Sequence, residues 1–188
     1  MNSFYTTEEL SKIGLSKIGK DVLISKYCSI YSPEDISIGN NVRIDDFVIL
    51  SGKIKIGNNV HISAFCALYG KYGIEIGNYC GCSPRTIIFS ATDDFSGDHL
   101  IGPVVPSEFI KLTAGKVVLQ DYVQLGANTV VMPNLTIEEG AVTGAFSYVK
   151  KSLKCWTINV GIPANTIRER SRKLLNFVNE LEDNSNNG

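Results

Sequence analysis

Two histidines, His61 and His99, are the side chains of this 188-residue chain that first suggest proton transfer. Histidine titrates near neutral pH, so it can take a proton from an attacking amine or hydroxyl. The carboxylates Asp93 and Asp94 lie a few residues before His99. They are interpreted either as turn-forming residues or as groups of which one orients His61. These four residues are the candidates for acid–base catalysis.

The cysteines raise a second chemistry, metal binding, which their number and spacing disfavour. Cys80 and Cys82 are separated by one residue, too close for the usual zinc-ligand pair, and no second pair accompanies them. A zinc site made of three histidines would need more histidines than one chain has. An odd count of five cysteines, without a secretion signal, favours reduced thiols. We therefore predict no metal and a cytoplasmic location.

Charge and hydropathy exclude several classes of protein. Lys and Arg number 18 against 19 Asp and Glu, which gives a net charge of −1. That balance argues against a protein that coats nucleic acid or an anionic membrane. No apolar run approaches the roughly 20 residues of a membrane-spanning helix. The N-terminus has neither the basic nor the apolar region of a signal peptide.

A six-residue repeat is the element that must position the candidate residues. The sequence Ile-Gly-Asn-Asn occurs at 38–41 and again at 56–59, and an imperfect copy follows at 76–79. Two inward positions per six residues fit neither the 3.6-residue period of an α-helix nor one long alternating strand. Short strands joined by sharp corners fit the pattern, with three strands in a coil of about eighteen residues. The aliphatic position recurs at Ile18, Ile24, Ile30, Ile38, Ile44, Leu50, Ile56, Ile62, Leu68, Ile76, Ile88, Leu119, Leu125, Val131 and Ile137.

The repeat predicts an all-β protein, a parallel β-helix of about six coils and about 29 Å in length, over residues 18–164. The pattern breaks between Phe89 and Lys116, which predicts a long insertion loop at 89–116. Glycine and asparagine after the aliphatic residue suit the corners, because both tolerate left-handed backbone conformations.

Both ends of the chain are predicted to leave the β-helix. Residues 1–17 form a cap with a short helix over Thr6–Ser11, which Thr6 or Thr7 caps. The segment 165–188 holds an amphipathic helix from Asn165 to about Glu182, followed by a frayed tail.

The repeat register also predicts which side chains face inward. Each hexad has two inward positions, one taken by an aliphatic residue and one by a small residue. Cys28, Cys66 and Cys80 occupy the small-residue position and Cys82 the aliphatic position, where a thiol acts as a small hydrophobe. His61 immediately precedes the inward Ile62, so strand alternation turns it outward. By itself, an outward histidine is either an ordinary exposed strand residue or a base.

Several motifs resemble those of the hexapeptide-repeat acyltransferases. They are the Ile-Gly-Asn-Asn hexads, the run from Leu125 to Pro133, and Gly161-Ile162-Pro163-Ala164. The resemblance implies a left-handed parallel β-helix, a homotrimer, and acetyl-CoA bound between neighbouring prisms. Three further segments, 42–47, 59–63 and 90–97, are similar to bacterial sugar acetyltransferases that modify precursors of surface polysaccharides such as lipopolysaccharide O-antigen.

The nearest resemblance is to the N-acetyltransferases of nucleotide-linked 4-amino-4,6-dideoxyglucose. It implies an acetyl-CoA-dependent acetyltransferase acting on a nucleotide-linked amino sugar such as dTDP-4-amino-4,6-dideoxyglucose. O-acetylation of a saccharide or glycolipid hydroxyl is the alternative, because both reactions share the base and the cosubstrate. The resemblance favours His61 as the base, with His99, water or a carboxylate as alternatives. It also allows Asp93 or Asp94 to accept a hydrogen bond from the amino sugar.

The resemblance places the cosubstrate along the late coils. Small residues would let the pantetheine lie against the prism, and basic residues would meet the CoA phosphates. Without a cosubstrate, the small residues are explained by the need for tight corners, and the basic residues by an ordinary solvated face. Two departures from the family pattern are Phe146, at a usual glycine position, and Asn165. The predicted cofactor-binding residues are Gly126, Ala127, Gly144, Ala145, Lys150, Lys151, Pro163 and Arg168, with Arg170 as a further candidate.

Overall fold

The computed structural model describes residues 3–186, and in it the chain winds into a parallel β-helix, which confirms the predicted fold class. Two α-helices flank it, α1 (Thr7–Ser11) and α2 (Leu174–Asn186), and short 3-10 turns cover Pro33–Asp35 and Ser107–Phe109. The strands are β1 (Lys17–Ile18), β2 (Leu23–Ile24), β3 (Ser29–Tyr31), β4 (Ile36–Ile38), β5 (Val42–Ile44), β6 (Ile49–Ile56), β7 (Val60–Ile62), β8 (Ala67–Ile76), β9 (Gly81–Cys82), β10 (Ile87–Phe89), β11 (Ala91–Asp93), β12 (Leu112–Ala114), β13 (Val117–Leu119), β14 (Gln124–Leu125), β15 (Val130–Val131), β16 (Leu135–Ile137), β17 (Val142–Thr143), β18 (Tyr148–Val149), β19 (Thr157–Val160) and β20 (Asn165–Glu169).

One face of the prism is the sheet β2-β5-β7-β9-β14-β17-β19-β20, which we call the histidine face because β7 carries His61. Its eight strands are parallel except β20, which pairs antiparallel with β19. Seven parallel strands mean about seven turns, so the predicted six is too few. The last turn departs from the repeat because Asn159, buried and hydrogen-bonded, stands where the pattern expects an aliphatic residue.

The other two faces join through β6 and β8, which each turn a corner without a break. The first half of β6 pairs with β3 and its second half with β4. β10 and β13 pair with the two halves of β8 in the same way. The segment between β10 and β13 therefore lies at the corner that β8 rounds at Gly70–Gly73, opposite the histidine face.

The inward positions form one continuous core. Ile44, Ile62 and Leu125 are fully buried, and burial of such side chains is the main favourable term in folding. The four cysteines predicted to face inward are buried, whereas Cys155 is exposed. Burial raises the pKa of the Cys80 thiol to about 12, so this thiol stays protonated at neutral pH. Among residues 3–186, no group of three or more histidine, cysteine, aspartate or glutamate side chains could hold a metal ion.

Asparagine recurs after glycine because its side chain joins successive turns. The side-chain oxygens of Asn58 and Asn78 accept hydrogen bonds from the backbone N–H groups of Asn40 and Asn58, both at 2.8 Å. Glycine is needed beside them, since a Cβ on Gly39 would lie 2.6 Å from the carbonyl oxygen of Gly57. The repeated hexads are thus explained by close stacking of the corners.

The insertion between β10 and β13 is more regular than the sequence predicts. β11 and β12 form an antiparallel ladder in which Asp93 pairs with Leu112, so the root of the insertion is a two-stranded ribbon. The rest of the segment follows an irregular path and exposes apolar side chains, among them Phe95 and Val104.

At the N-terminus, Thr6 is the N-cap of α1 and forms a capping box with Glu9. At the other end the predicted helix is wrong over its first turns, because Asn165–Glu169 is the strand β20. The free edge of β19 takes up this segment, and the Thr166 hydroxyl donates to the Asn159 side chain at 2.7 Å. α2 continues to Asn186, so it includes part of the predicted frayed tail, whose last two residues lie outside the described range.

Neither described helix has the length and apolar character needed to cross a lipid bilayer.

Candidate functional site

His61 projects from the middle of β7, whose other two residues point inward. Val60 and Ile62 are buried, while the His61 side chain is 51% exposed. The outward orientation predicted from strand alternation is therefore confirmed.

The carboxylate that holds His61 is Asp45, not Asp93 or Asp94. The His61 Nε2 atom lies 2.7 Å from Asp45 Oδ2, and Arg43 Nε donates to Asp45 Oδ1 at 2.7 Å. Arg43 stands opposite His61 in the neighbouring strand β5 and packs its guanidinium 5.2 Å from the Phe4 ring. The expectation that one of the loop aspartates orients His61 is wrong within one chain, because both lie in the insertion at the opposite corner.

The two hydrogen bonds keep the Asp45 carboxylate ionised. Partial burial raises the pKa of Asp45, but the hydrogen bonds from Arg43 and His61 outweigh it, so the pKa is lowered from its usual 3.8. An ionised carboxylate can only accept a hydrogen bond, so the His61 Nε2 atom carries the proton. The Nδ1 atom of the neutral ring is then left as the proton acceptor.

The lowered pKa of Asp45 predicts a pH-dependent contribution to stability. The contribution is fully present above the carboxyl's usual pKa of 3.8, which holds in the unfolded chain, and it is lost as the pH falls through the lower pKa of the folded state. We expect Asp45→Asn to destabilise the protein at neutral pH and the difference from wild type to shrink under acid conditions. Urea unfolding of both proteins at several pH values measures this. A difference that stays constant into acid would contradict it.

An open groove of about 460 Å³ runs beside His61 along the histidine face. Gly81 stands in the outward row between His61 and Gln124, and its missing side chain makes room for the groove. The lining includes Arg43, His61, Ser63, Gly81, Ser83 and Gln124.

Ser83 and Gln124 did not emerge from the sequence as site residues. Gln124 Nε2 donates to Ser83 Oγ at 3.0 Å, and both side chains are partly buried. The sequence signal that could have found them is Gly81, a glycine at an outward strand position between two inward cysteines.

His99 belongs to a second cluster, inside the insertion. Its Nδ1 atom lies 3.0 Å from Asp94 Oδ2, and Asp94 also accepts from the Ser96 backbone and hydroxyl. The hydrogen bonds from Ser96 are the main reason that the pKa of Asp94 is lowered. Asp93 accepts a bond from the Gly102 N–H at 3.2 Å through Oδ1. Asp94 therefore shapes the loop, while among the described contacts Asp93 Oδ2 has no hydrogen-bond donor.

The four catalytic candidates thus divide into two groups. His61 lies on the histidine face, whereas Asp93, Asp94 and His99 lie in the segment that leaves the opposite corner. One chain does not bring the two groups together.

The predicted cofactor residues have mixed surroundings. A Cβ on Gly126 would lie 2.6 Å from the backbone of Gly144, so close stacking of two turns requires this glycine whether or not a ligand lies there. Lys150 and Lys151 are exposed at the corner after β18, and Arg168 is exposed in β20. Ala127, Ala145 and Pro163 also lie in corners of the late turns. The cofactor role of these residues stays a prediction.

Arg170 is the exception, since intramolecular contacts occupy it. One guanidinium nitrogen, Nη1, donates to the carbonyl oxygens of Tyr122 and Gly140 at 2.7 and 2.9 Å, and the group lies 5.9 Å from the Trp156 ring. Burial lowers the pKa of Arg170, but the side chain is structurally engaged. It ties β20 to the β-helix through Nη1, and a phosphate contact by its other guanidinium nitrogens stays a prediction.

Comparison with known proteins gives one consistent picture. A family described as bacterial transferase hexapeptide (six repeats) matches residues 35–70. The dTDP-4-amino-4,6-dideoxy-D-glucose acyltransferase of Escherichia coli is 41% identical over 170 residues, which cover 89% of this chain and 88% of that protein.

Solved structures of AntD, an N-acyltransferase from Bacillus cereus, agree with the chain over almost its whole length. The complex with dTDP and 3-hydroxybutyryl-CoA superposes with a TM-score of 0.97 at 51% identity and covers 99% of this chain and 100% of that one. A variant of the same protein, crystallised with dTDP-4-amino-4,6-dideoxyglucose and coenzyme A, superposes equally well and covers 98% of this chain.

Proposed function

The chain belongs to the hexapeptide-repeat acyltransferases, and from this membership we propose that it transfers an acyl group from acyl-CoA to the 4-amino group of dTDP-4-amino-4,6-dideoxyglucose. The observation that carries the proposal is the 41% identity with the E. coli acyltransferase of that sugar over nearly the whole chain. The sugar in both relatives carries an amine, which favours N-acylation over the hydroxyl acceptor that the sequence left open.

The acyl donor is the part on which the relatives give least detail. AntD was crystallised with 3-hydroxybutyryl-CoA, so an acyl group larger than acetyl fits that relative. We propose acetyl-CoA as one donor for this chain, as the sequence suggests, and a comparison with 3-hydroxybutyryl-CoA as its direct test. Use of these thioesters is consistent with the cytoplasmic location inferred from the sequence.

The groove beside His61 offers the groups that aminolysis of a thioester needs. The sugar amine attacks the thioester carbon, a C–N bond forms, and the carbonyl oxygen becomes an oxyanion that a hydrogen-bond donor must stabilise. His61 Nδ1 takes the proton that the nitrogen loses. Collapse of the intermediate breaks the C–S bond, and the proton passes to the departing thiolate. The products are the amide and free CoA.

A neighbouring protomer completes this proposal. The Asp93 carboxylate, with Oδ2 open to an amine, sits at the corner opposite the histidine face. In a homotrimer of the kind that the sequence resemblance implies, the insertion of one protomer would reach the histidine face of the next. His61 and Asp93 of different protomers would then share one site.

Thiol release in the presence of the amino sugar tests the proposed function. We expect the purified chain to release CoA from acetyl-CoA or 3-hydroxybutyryl-CoA only when dTDP-4-amino-4,6-dideoxyglucose is present. The same nucleotide sugar with a hydroxyl in place of the 4-amino group is the matched control. Release with the hydroxyl sugar alone would support O-acylation instead, and release with neither would overturn the proposal.

A further inference from the structure

The side chain of Gln124 is fixed across the floor of the groove by two hydrogen bonds. Its Nε2 atom donates to Ser83 Oγ at 3.0 Å and to the Leu125 carbonyl oxygen at 3.3 Å. The Leu125 carbonyl can only accept, so the amide nitrogen and not the amide oxygen faces this side. The orientation of the amide therefore follows from its partners.

This contact decides what the Ser83 hydroxyl can do. A serine hydroxyl has one proton to donate and two lone pairs to accept with. The Gln124 amide nitrogen only donates, so it occupies a lone pair of Ser83 Oγ and leaves the hydroxyl proton free to turn into the groove. Ser83 and His61 line the same groove.

We propose that Gln124 is a positioning residue for acyl transfer. By donating to Ser83 Oγ it holds the Ser83 hydroxyl as a hydrogen-bond donor toward the carbonyl oxygen of the acyl group, where negative charge develops. The inference rests on the proposed function, since it assigns a role to the same groove.

Gly81 is part of the same arrangement. It stands opposite Gln124 in the neighbouring strand, and the nearest atom to a Cβ built on it is Gln124 Oε1. The Gly81→Ala methyl would collide with this flexible end and push the amide off Ser83. That substitution disturbs the contact without changing either of the bonded side chains.

Isosteric replacement of Gln124 gives the sharpest test. In Gln124→Glu the carboxylate accepts from the Ser83 hydroxyl and withdraws its proton from the groove. Because one donor to an oxyanion contributes about 10²–10³ in kcat, we expect kcat to fall by a similar factor of about 10²–10³, with KM for both substrates nearly unchanged. Gln120→Glu is the matched control, because the Gln120 Oε1 atom already accepts a hydrogen bond from the Glu139 N–H.

A double-mutant cycle separates positioning from direct contact. If Gln124 acts through Ser83, then Gln124→Glu and Gly81→Ala should each cost little more in a Ser83→Ala background. Full additivity, or a wild-type kcat in Gln124→Glu, would overturn the inference while leaving the proposed function in place. A wild-type chain that releases no thiol would overturn both. Unchanged circular dichroism and thermal midpoints exclude a loss of fold as the cause.

Discussion

His61→Ala is expected to lower kcat for acyl transfer by about 10²–10⁴-fold, the range that a positioned general base contributes. The side chain is half exposed on the outward face of β7, so its removal should leave the β-helix folded. Asp45 and Arg43 would remain paired with each other. Thiol release at saturating acyl-CoA and amino sugar measures kcat, and circular dichroism with size-exclusion chromatography checks the fold and the assembly.

His99→Ala is the matched control for this prediction. His99 is held by Asp94 inside the insertion, and its loss should alter the loop more than the groove on the histidine face. We expect a much smaller fall in kcat for His99→Ala than for His61→Ala. The reverse order would identify His99, in the insertion, as the base. If both variants were as active as wild type, water or the thiolate would accept the proton instead.

The fold could be predicted from the sequence because its information is local and periodic. Ile44 and Ile62 are eighteen residues apart and stack directly in β5 and β7. The spacing of the aliphatic residues therefore predicts which residues pair between neighbouring strands. The same periodicity was misleading where a free sheet edge competed with it. Ile167 fits a helical spacing, yet β19 had an unpaired edge, and hydrogen bonding to that edge turned Asn165–Glu169 into β20.

The site was only partly predictable, because its contacts cross between turns. Asp45 reaches His61 from the preceding turn, so the pair is 16 residues apart and lies on two different hexads. Strand register alone would have placed Arg43 beside His61 but not the carboxylate at the corner. Ser83 and Gln124 are 41 residues apart because the insertion lies between them, and no repeat period contains that distance.

Asp93→Ala is expected to lower kcat/KM for the amino sugar by about ten- to 150-fold, the cost of one hydrogen bond to a charged group. Asp93 is half-buried at the end of β11, where the antiparallel ladder with β12 holds its backbone. Gly102 occupies only Oδ1, which leaves Oδ2 to orient the amine. Asp98→Asn, an exposed change in the same loop, is the control, and we expect it to keep near-wild-type kcat/KM.

Mixing the two impaired variants tests whether His61 and Asp93 come from different protomers. In randomly mixed trimers of His61→Ala and Asp93→Ala chains, each site draws its histidine from one protomer and its aspartate from the next. One site in about four then contains both native residues, because each is present with a probability of about one half. We therefore expect co-expressed variants to regain about a quarter of wild-type activity per site. If both residues served the same site from one chain, no mixed trimer would contain an intact site and activity would stay at the level of the single variants.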